Sequence, residues 1–456
     1  MYTRVMSRAE VKPGCWFFDY DTDSVFFGDN PAGHVVEIGV SERAFGGTGS
    51  HITIKNLVIE KYACPSQEAA ITNQWPGDFW TVENCEVRYN HSGGIQLRGR
   101  NGIVRGNSVH HNGQKGIGIV DGGDSSLIEN NEIAYNNWKK MFSFGWEGGG
   151  TKFAHARNLT IRNNYAHHNL GPGLWSDINC TNLIYEYNRC EFNSAEGIFH
   201  ETCDSAIIRC NILRNNATLM GSNLQLANST NSQVFGNVIE VHADYGDGII
   251  VVQKERVDSS LGRALLVRNN HIHHNHIIHK GIKGVSGGYC EYQCDDFWTN
   301  GHTIFEYNAY HVPDLSQKHW FWENAQQSWA DVQANGSELN STVDNDTSSM
   351  DSVDNCRSYL GIGRPYMKPG HNAAAFKIAY DHVSGLLHIS TPYMQRNNDF
   401  SVSVYSANGQ LVRCIGRINN PDMHLAFSIK DLPPGAYWIR LISGCWETKS
   451  RITIVR

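Results

Sequence analysis

The chain has 456 residues, only 18% of them charged, with 44 Gly, 12 Trp and 19 Tyr, which suits a turn-rich ordered β protein better than a helical bundle. A net charge of −7 argues against a nucleic-acid binder, which needs a basic face. No run reaches the ~20 apolar residues of a membrane span, so no span is expected.

In chain order, the N-terminal MYTRVMSRAE lacks the apolar core of a signal peptide and begins abruptly, as though a segment preceded it. From Trp80 one pattern recurs: WTVENCEVRYN, GIVRGNSVHHN, SLIENNEIAYN, LTIRNNYAHHN, LIYEYNRCEFN, AIIRCNILRNN, SQVFGNVIEVH, LLVRNNHIHHN and TIFEYNAYHVP. Stacked, these segments align Asn107, Asn131, Asn164, Asn188, Asn211, Asn237, Asn270 and Asn308 in one column. An apolar column precedes it (Val82, Val104, Ile128, Ile161, Tyr185, Ile208, Val234, Val267, Phe305) and another follows it (Val109, Ile133, Ala166, Cys190, Leu213, Ile239, Ile272). The shortest Asn-to-Asn spacing, 23 to 24 residues, is one coil of a parallel β-helix. An Asn at a bend bonds its amide to the same Asn above and below. The predicted fold is therefore all-β: a right-handed parallel β-helix, pectate-lyase-like, over residues 1–312.

Glu83, Arg105, Glu129, Arg162, Glu186 and Arg209 alternate in sign up the stack and read as an ion-pair ladder on a solvated face. Three intervals exceed one coil, so residues near Trp138–Met141, Lys254–Gly262 and Cys290–Trp298 must leave the cylinder as loops. Such loops wall a cleft when a rigid scaffold carries function. After Tyr310 the pattern fades into an end-cap and linker, 313–373. From 374 to 456 short alternating strands (LLHIS, FSVSVYSANGQLV, HLAFSI, LPPGAYWIRLIS, RITIVR) predict a small antiparallel β-sandwich.

A second strand follows each Asn turn: GGIQLR, GIGIV, SFGWE, GLWSD, GIFHE, NLQLA and GIIVV. Their second residue points inward, so alternation sends the third and fifth outward. The fifth-position column reads Arg98, Val120, Glu147, Asp177, Glu201, Ala227, Val252. Three carboxylates on successive coils would then face solvent, with Asp177 and Glu201 roughly 5 Å apart and Glu147 to Glu201 about twice that. Stacked like charges raise one pKa. The first spacing suits a retaining glycosidase and the second approaches an inverting one. Alternatively the three acids hold Ca²⁺ and Lys152 or Arg98 is the base of a polysaccharide lyase or uronate epimerase. Otherwise no cofactor or metal is expected, and the acids form a plain solvated stripe. Trp175, Phe199 and Trp146 beside the acids would pack on sugar rings. His200 has inward parity, which makes it a core residue or, less directly, one that orients Glu201 at the substrate.

The paired histidines (His110 and His111, His167 and His168, His273 and His274) sit in corresponding turns and read as repeat residues. The twelve cysteines show no zinc spacing and read as small buried residues with one or two disulfides.

GLWSDIN, followed one coil later by GIFHE, is similar to the W-x-D … E arrangement of the β-helix β-xylosidases of glycoside hydrolase family 120. The β-helix hydrolases of family 141, xylanases and fucosidases, also use two carboxylates. The resemblance, over roughly residues 15–345, implies Asp177 as nucleophile and Glu201 as acid/base, acting on a xylan-type polysaccharide or oligosaccharide. The chain departs from the xylosidase pattern in reading ETCDSA where a Gly-Pro follows the Glu motif. Separately, NGQLV…KDLPPGAYWIRLISG…SRITIVR resembles the type IX secretion sorting domain of Bacteroidota. That implies a secreted or cell-surface bacterial protein with the secretion machinery as a partner. A carbohydrate-binding sandwich is the alternative.

Overall fold

The computed structural model describes residues 2–258, 262–353, 377–381, 386–390, 400–406, 411–418, 424–443 and 446–454. The chain divides into two compact units, Met1–Cys356 and Arg357–Arg456. Residues 354–373 of the predicted linker, the 408–410 turn, Cys356 and Cys445 lie outside the described residues.

The first unit opens with a small three-stranded sheet, Thr3–Arg4, Cys15–Asp19 and Ser24–Phe27. Three parallel sheets then stack from Phe45–Gly47 onward, each coil adding one strand to each sheet. This is a right-handed parallel β-helix. Strands of the second and third sheets are short, commonly three residues with the middle one inward. One inward column runs Val82, Val104, Ile128, Ile161, Tyr185, Ile208, Val234, Ile272, Phe305, every member at most 2% exposed. Each side chain is buried by its equivalents on the coils above and below, and burial of a residue this size is worth about 1.5–3 kcal/mol. The coils continue past 312: Trp320–Trp322 pairs with Ser286–Cys290, and Thr342–Asp344 with Ala309–His311.

Two asparagine ladders hold the bends. The first runs Asn107, Asn131, Asn164, Asn188, Asn211, Asn237, Asn275, Asn308, each Nδ2 donating to the next Oδ1 at 2.9–3.0 Å. The predicted rung Asn270 is not in it. The stretch VRNNHIHHNHII offers two registers five residues apart, and the longer outside hairpin selects the second. Ile272 thereby takes the place expected of Val267, and Ile277 that of Ile272. Asn270 instead accepts from the Ser232 N–H and donates to the Ser229 carbonyl. The second ladder, Asn90, Asn112, Asn136, Asn169, Asn193, Asn216 and Asn223, lies at the following bend, where several repeats visibly end in Asn.

Asn188 is 1% exposed and bonds at once to Asn164, Asn211 and the Ile161 carbonyl. Asn188→Ala strands buried donors and acceptors on both neighbouring coils, so it is expected to cost about 3 kcal/mol. A shifted urea midpoint at unchanged m-value would report it, and a change below ~0.5 kcal/mol would contradict it.

The alternating ladder forms as expected: Arg162 lies 2.7 Å from Glu129 and Arg209 2.6 Å from Glu186. The Cys290 and Cys294 pair is a disulfide, while Cys15, Cys64, Cys85, Cys180, Cys190 and Cys203 are buried thiols. In the second unit, strands 377–381, 386–390 and 424–428 form one antiparallel sheet. Strands 411–418, 400–406, 435–443 and 446–454 form the other. Leu387 of the first packs with Val402, Val404, Ile439 and Ile452 of the second, which makes a sandwich.

Candidate active site

The longest of the three sheets carries two outward columns (the site sheet below). One runs Gln96, Gly118, Lys152, Trp175, Phe199, Gln225; the other Val120, Ala154, Asp177, Glu201, Ala227, Val252. Asp177 and Glu201 thus occupy equivalent positions on adjacent strands, with backbones ~4.8 Å apart.

Glu147 is not the third member. The strand of its coil is Gly149–Ala154, so Ala154 flanks Asp177 instead. The extra residues of this coil precede the strand, placing Phe144–Trp146 in a 3₁₀ turn and Glu147 in a left-handed conformation at φ 64°. The run Gly148-Gly149-Gly150, a turn signal directly before the alternating Thr151-Lys152-Phe153, marks the true strand start. Glu147 accepts a 2.6 Å bond from the buried Lys115 ammonium. Trp146 is half exposed on the same loop, its ring 5.8 Å from Phe142.

Three donors converge on Asp177. Lys152 Nζ lies 2.6 Å from Oδ2, while Oδ1 accepts from the Thr202 hydroxyl at 2.6 Å and the Ile178 N–H at 2.7 Å. Glu201 has one close cation, Arg256, whose Nη2 is 2.8 Å from Oε1. Burial pushes the Glu201 pKa up, the charge of Asp177 adds to the rise, and Arg256 and Lys152 oppose it. The Trp175 indole N–H offsets a little more, although it makes no hydrogen bond of regular geometry. Two neighbouring carboxyls therefore sit in unlike surroundings, one ringed by donors and the other desolvated.

Lys152 is 2% exposed and stands 3.2 Å from the Trp175 ring centroid. Trp175 also stacks on Phe199 at 5.6 Å and 16°. Trp175 is therefore covered, and Phe199 is the ring of the pair that reaches the surface. Arg98 lies three strands from Asp177, paired with Glu68 at 3.0 Å and Asp121 at 3.6 Å, and does not join the acids. His200 points into the core, fully buried, with Nδ1 2.8 Å from Ser176 Oγ. Burial lowers its pKa to about 4, so it is a neutral residue behind the face and not a substrate contact. The three-carboxylate set considered for Ca²⁺ does not assemble. Glu147 is elsewhere, and among the described residues no three His, Cys, Asp or Glu side chains converge to hold a metal.

Sequence reasoning missed Arg256, although it flagged the loop 254–262 that bears it. It also missed Thr202 and Glu196. Ile178 and Thr202, directly after the two acids, share a left-handed bend position at φ 47° with Asp121, His155 and Asn228 on other coils. β-Branched side chains are disfavoured there, at a cost of about 1–3 kcal/mol each. Only the two acid-bearing coils of that series carry them. The bend at Thr202 is what aims its hydroxyl at Asp177.

Glu196 lies two residues before the Ile198–Glu201 strand and is 7% exposed. A Cβ at Gly221, which has φ 99°, would lie 2.6 Å from Glu196 Oε1. Burial, helped by the Glu201 charge and opposed by Lys254, raises its pKa from 4.5 to about 7. A carboxyl raised on folding stabilises the protein fully below its unfolded pKa, and that contribution is lost as pH rises through the folded value. Between about pH 4.5 and 7 the wild type should lose about 3 kcal/mol relative to Glu196→Gln. Denaturant midpoints of both proteins at pH 5 and pH 8 measure this, and parallel pH dependences would contradict it.

A parallel β-helix with paired carboxylates on one sheet face is the class of protein that fold and site define. Residues 70–237 match the family described as right handed beta helix region. Among solved structures, the complex of XylC with xylose superposes at a TM-score of 0.53 and 16% identity, over 95% of this chain and 73% of that one. The A-module of mannuronan C-5 epimerase AlgE4 from Azotobacter vinelandii gives 0.37 at 12% identity, over 75% and 84%. The likeness to XylC is one of fold. No curated protein sequence matches the chain.

Proposed function

We propose that the protein is a carbohydrate-active enzyme, a retaining glycoside hydrolase in which Asp177 attacks the anomeric carbon and Glu201 serves as acid and then base. The observation that carries this reading is the pair itself: equivalent positions on adjacent strands with opposed environments. Retaining enzymes hold their carboxyls about 5–5.5 Å apart, which one strand spacing supplies. Glu201, whose pKa burial and the Asp177 charge raise, donates to the leaving oxygen as Asp177 forms the glycosyl bond. Water, deprotonated by Glu201, then releases the sugar. Phe199 offers the ring on which a sugar packs, and Lys152 holds Asp177 in place.

Xylan-type polysaccharide is the substrate class to try first, since XylC, similar in fold, binds xylose. The C-terminal resemblance supports the further reading of a secreted or surface enzyme of a bacterium with type IX secretion. Removing 374–456 in such a host would then retain the protein inside the cell, and unchanged export would refute that part.

The activity is tested by incubating xylan, arabinan, pectin and alginate with the full chain, reading reducing ends and unsaturated-product absorbance together. Reducing ends alone support the proposal. Absorbance indicates a lyase, and silence on all four leaves a binding protein.

A further inference from the structure

Cys180 follows Asp177 by three residues and Cys203 follows Glu201 by two, on adjacent coils. They are directly opposed, because Thr181 pairs with Asp204 and the Asp204 N–H donates to the Cys180 carbonyl at 2.9 Å. At the equivalent position the coil before has Ala156 and the coil after has Ser229. The two thiols thus form an isolated step in that column. Both belong to the inner core, at 0% and 4% exposure, and each lies within hydrogen-bonding reach of the other. Opposed residues on neighbouring strands have Cα atoms ~4.8 Å apart, inside the 4.4–6.8 Å window of disulfides.

We infer that Cys180 and Cys203 are a cross-linking site that closes into a disulfide, joining the coil of Asp177 to the coil of Glu201. Access is through Cys203, which lines a groove with Asn179, Thr202, Asp204, Asn228 and Arg268. The oxidant is a small disulfide such as that of glutathione. The Cys203 sulfur attacks one of its sulfurs as the thiol gives up its proton, the S–S bond breaks, and one glutathione leaves as thiol with that proton. The Cys180 thiolate then attacks Cys203 sulfur and expels the second glutathione. Two protein thiols are oxidised by two electrons while one small disulfide is reduced to two thiols. The link closes between the strained bends at Ile178 and Thr202 and holds them together.

The full chain is reduced, incubated with excess glutathione disulfide until Cys290–Cys294 has closed as an internal control, then alkylated in denaturant and digested with trypsin. The expected product is peptide 163–189 joined to 190–209, two hydrogens lighter than the separate peptides together. Because the second peptide also holds Cys190, the link must persist in Cys190→Ser and vanish in Cys203→Ser. The linked protein should melt several degrees above its reduced form. Recovery of Cys180 and Cys203 both alkylated, with Cys290–Cys294 closed, overturns the inference. The readout is a covalent bond, independent of turnover, so its failure would leave the hydrolase reading untouched.

Discussion

Asp177→Asn is expected to lower kcat/KM by ~10⁴-fold or more on every glycoside tested. The amide has the size of the carboxyl but cannot form the glycosyl bond. It still accepts from Ile178 N–H and Thr202, so the bend should keep its shape. What it removes is the countercharge of Lys152, a cation 2% exposed and 2.6 Å away. It also removes the charge that helps raise the pKa of Glu201. The loss should therefore fall on kcat for fast-leaving aryl glycosides as well as for polysaccharide, because nucleophilic attack fails whatever the leaving group. More than a tenth of wild-type activity, in protein with an unchanged thermal midpoint, would remove Asp177 from the chemistry.

Glu201 should behave differently. Glu201→Gln is expected to cost ~10²–10⁴-fold on substrates whose leaving oxygen needs a proton. It should cost far less in the first step on an aryl glycoside whose leaving group departs as a stable anion. In Glu201→Ala, azide should intercept the glycosyl-enzyme and give a product of retained configuration. The wild-type rate should fall as pH rises through the elevated Glu201 pKa, since the acid form does the first step. Arg256 opposes that elevation, so Arg256→Gln should move the falling limb to higher pH. A falling limb that survives Glu201→Gln would assign the acid to another group, with the buried Glu196 first in line.

Much of this site was legible because strand alternation is a local property. GLWSD and GIFHE each keep the coil length, so counting from the Asn rung put Asp177 and Glu201 on neighbouring outward positions. Counting failed where a loop entered before the strand. SFGWE has the length of a strand but belongs to the excursion, which removed Glu147 from the face. It failed again at Asn270, where two registers fit the same letters. Arg256 was invisible for a related reason: a side chain on an outside loop owes its position to where the loop folds back, and no period in the sequence encodes that.

The sequence by itself determined the coil, its inward columns, the first asparagine ladder through Asn237 and the outward pairing of Asp177 with Glu201. Each repeats a local pattern that every neighbouring coil reinforces. Only the tertiary structure decided which acid stays desolvated, which cations answer Asp177 and Glu201, and that Lys115, not the face, holds Glu147. Those depend on contacts between residues 25 to 55 positions apart, brought together by loops whose paths no repeat specifies.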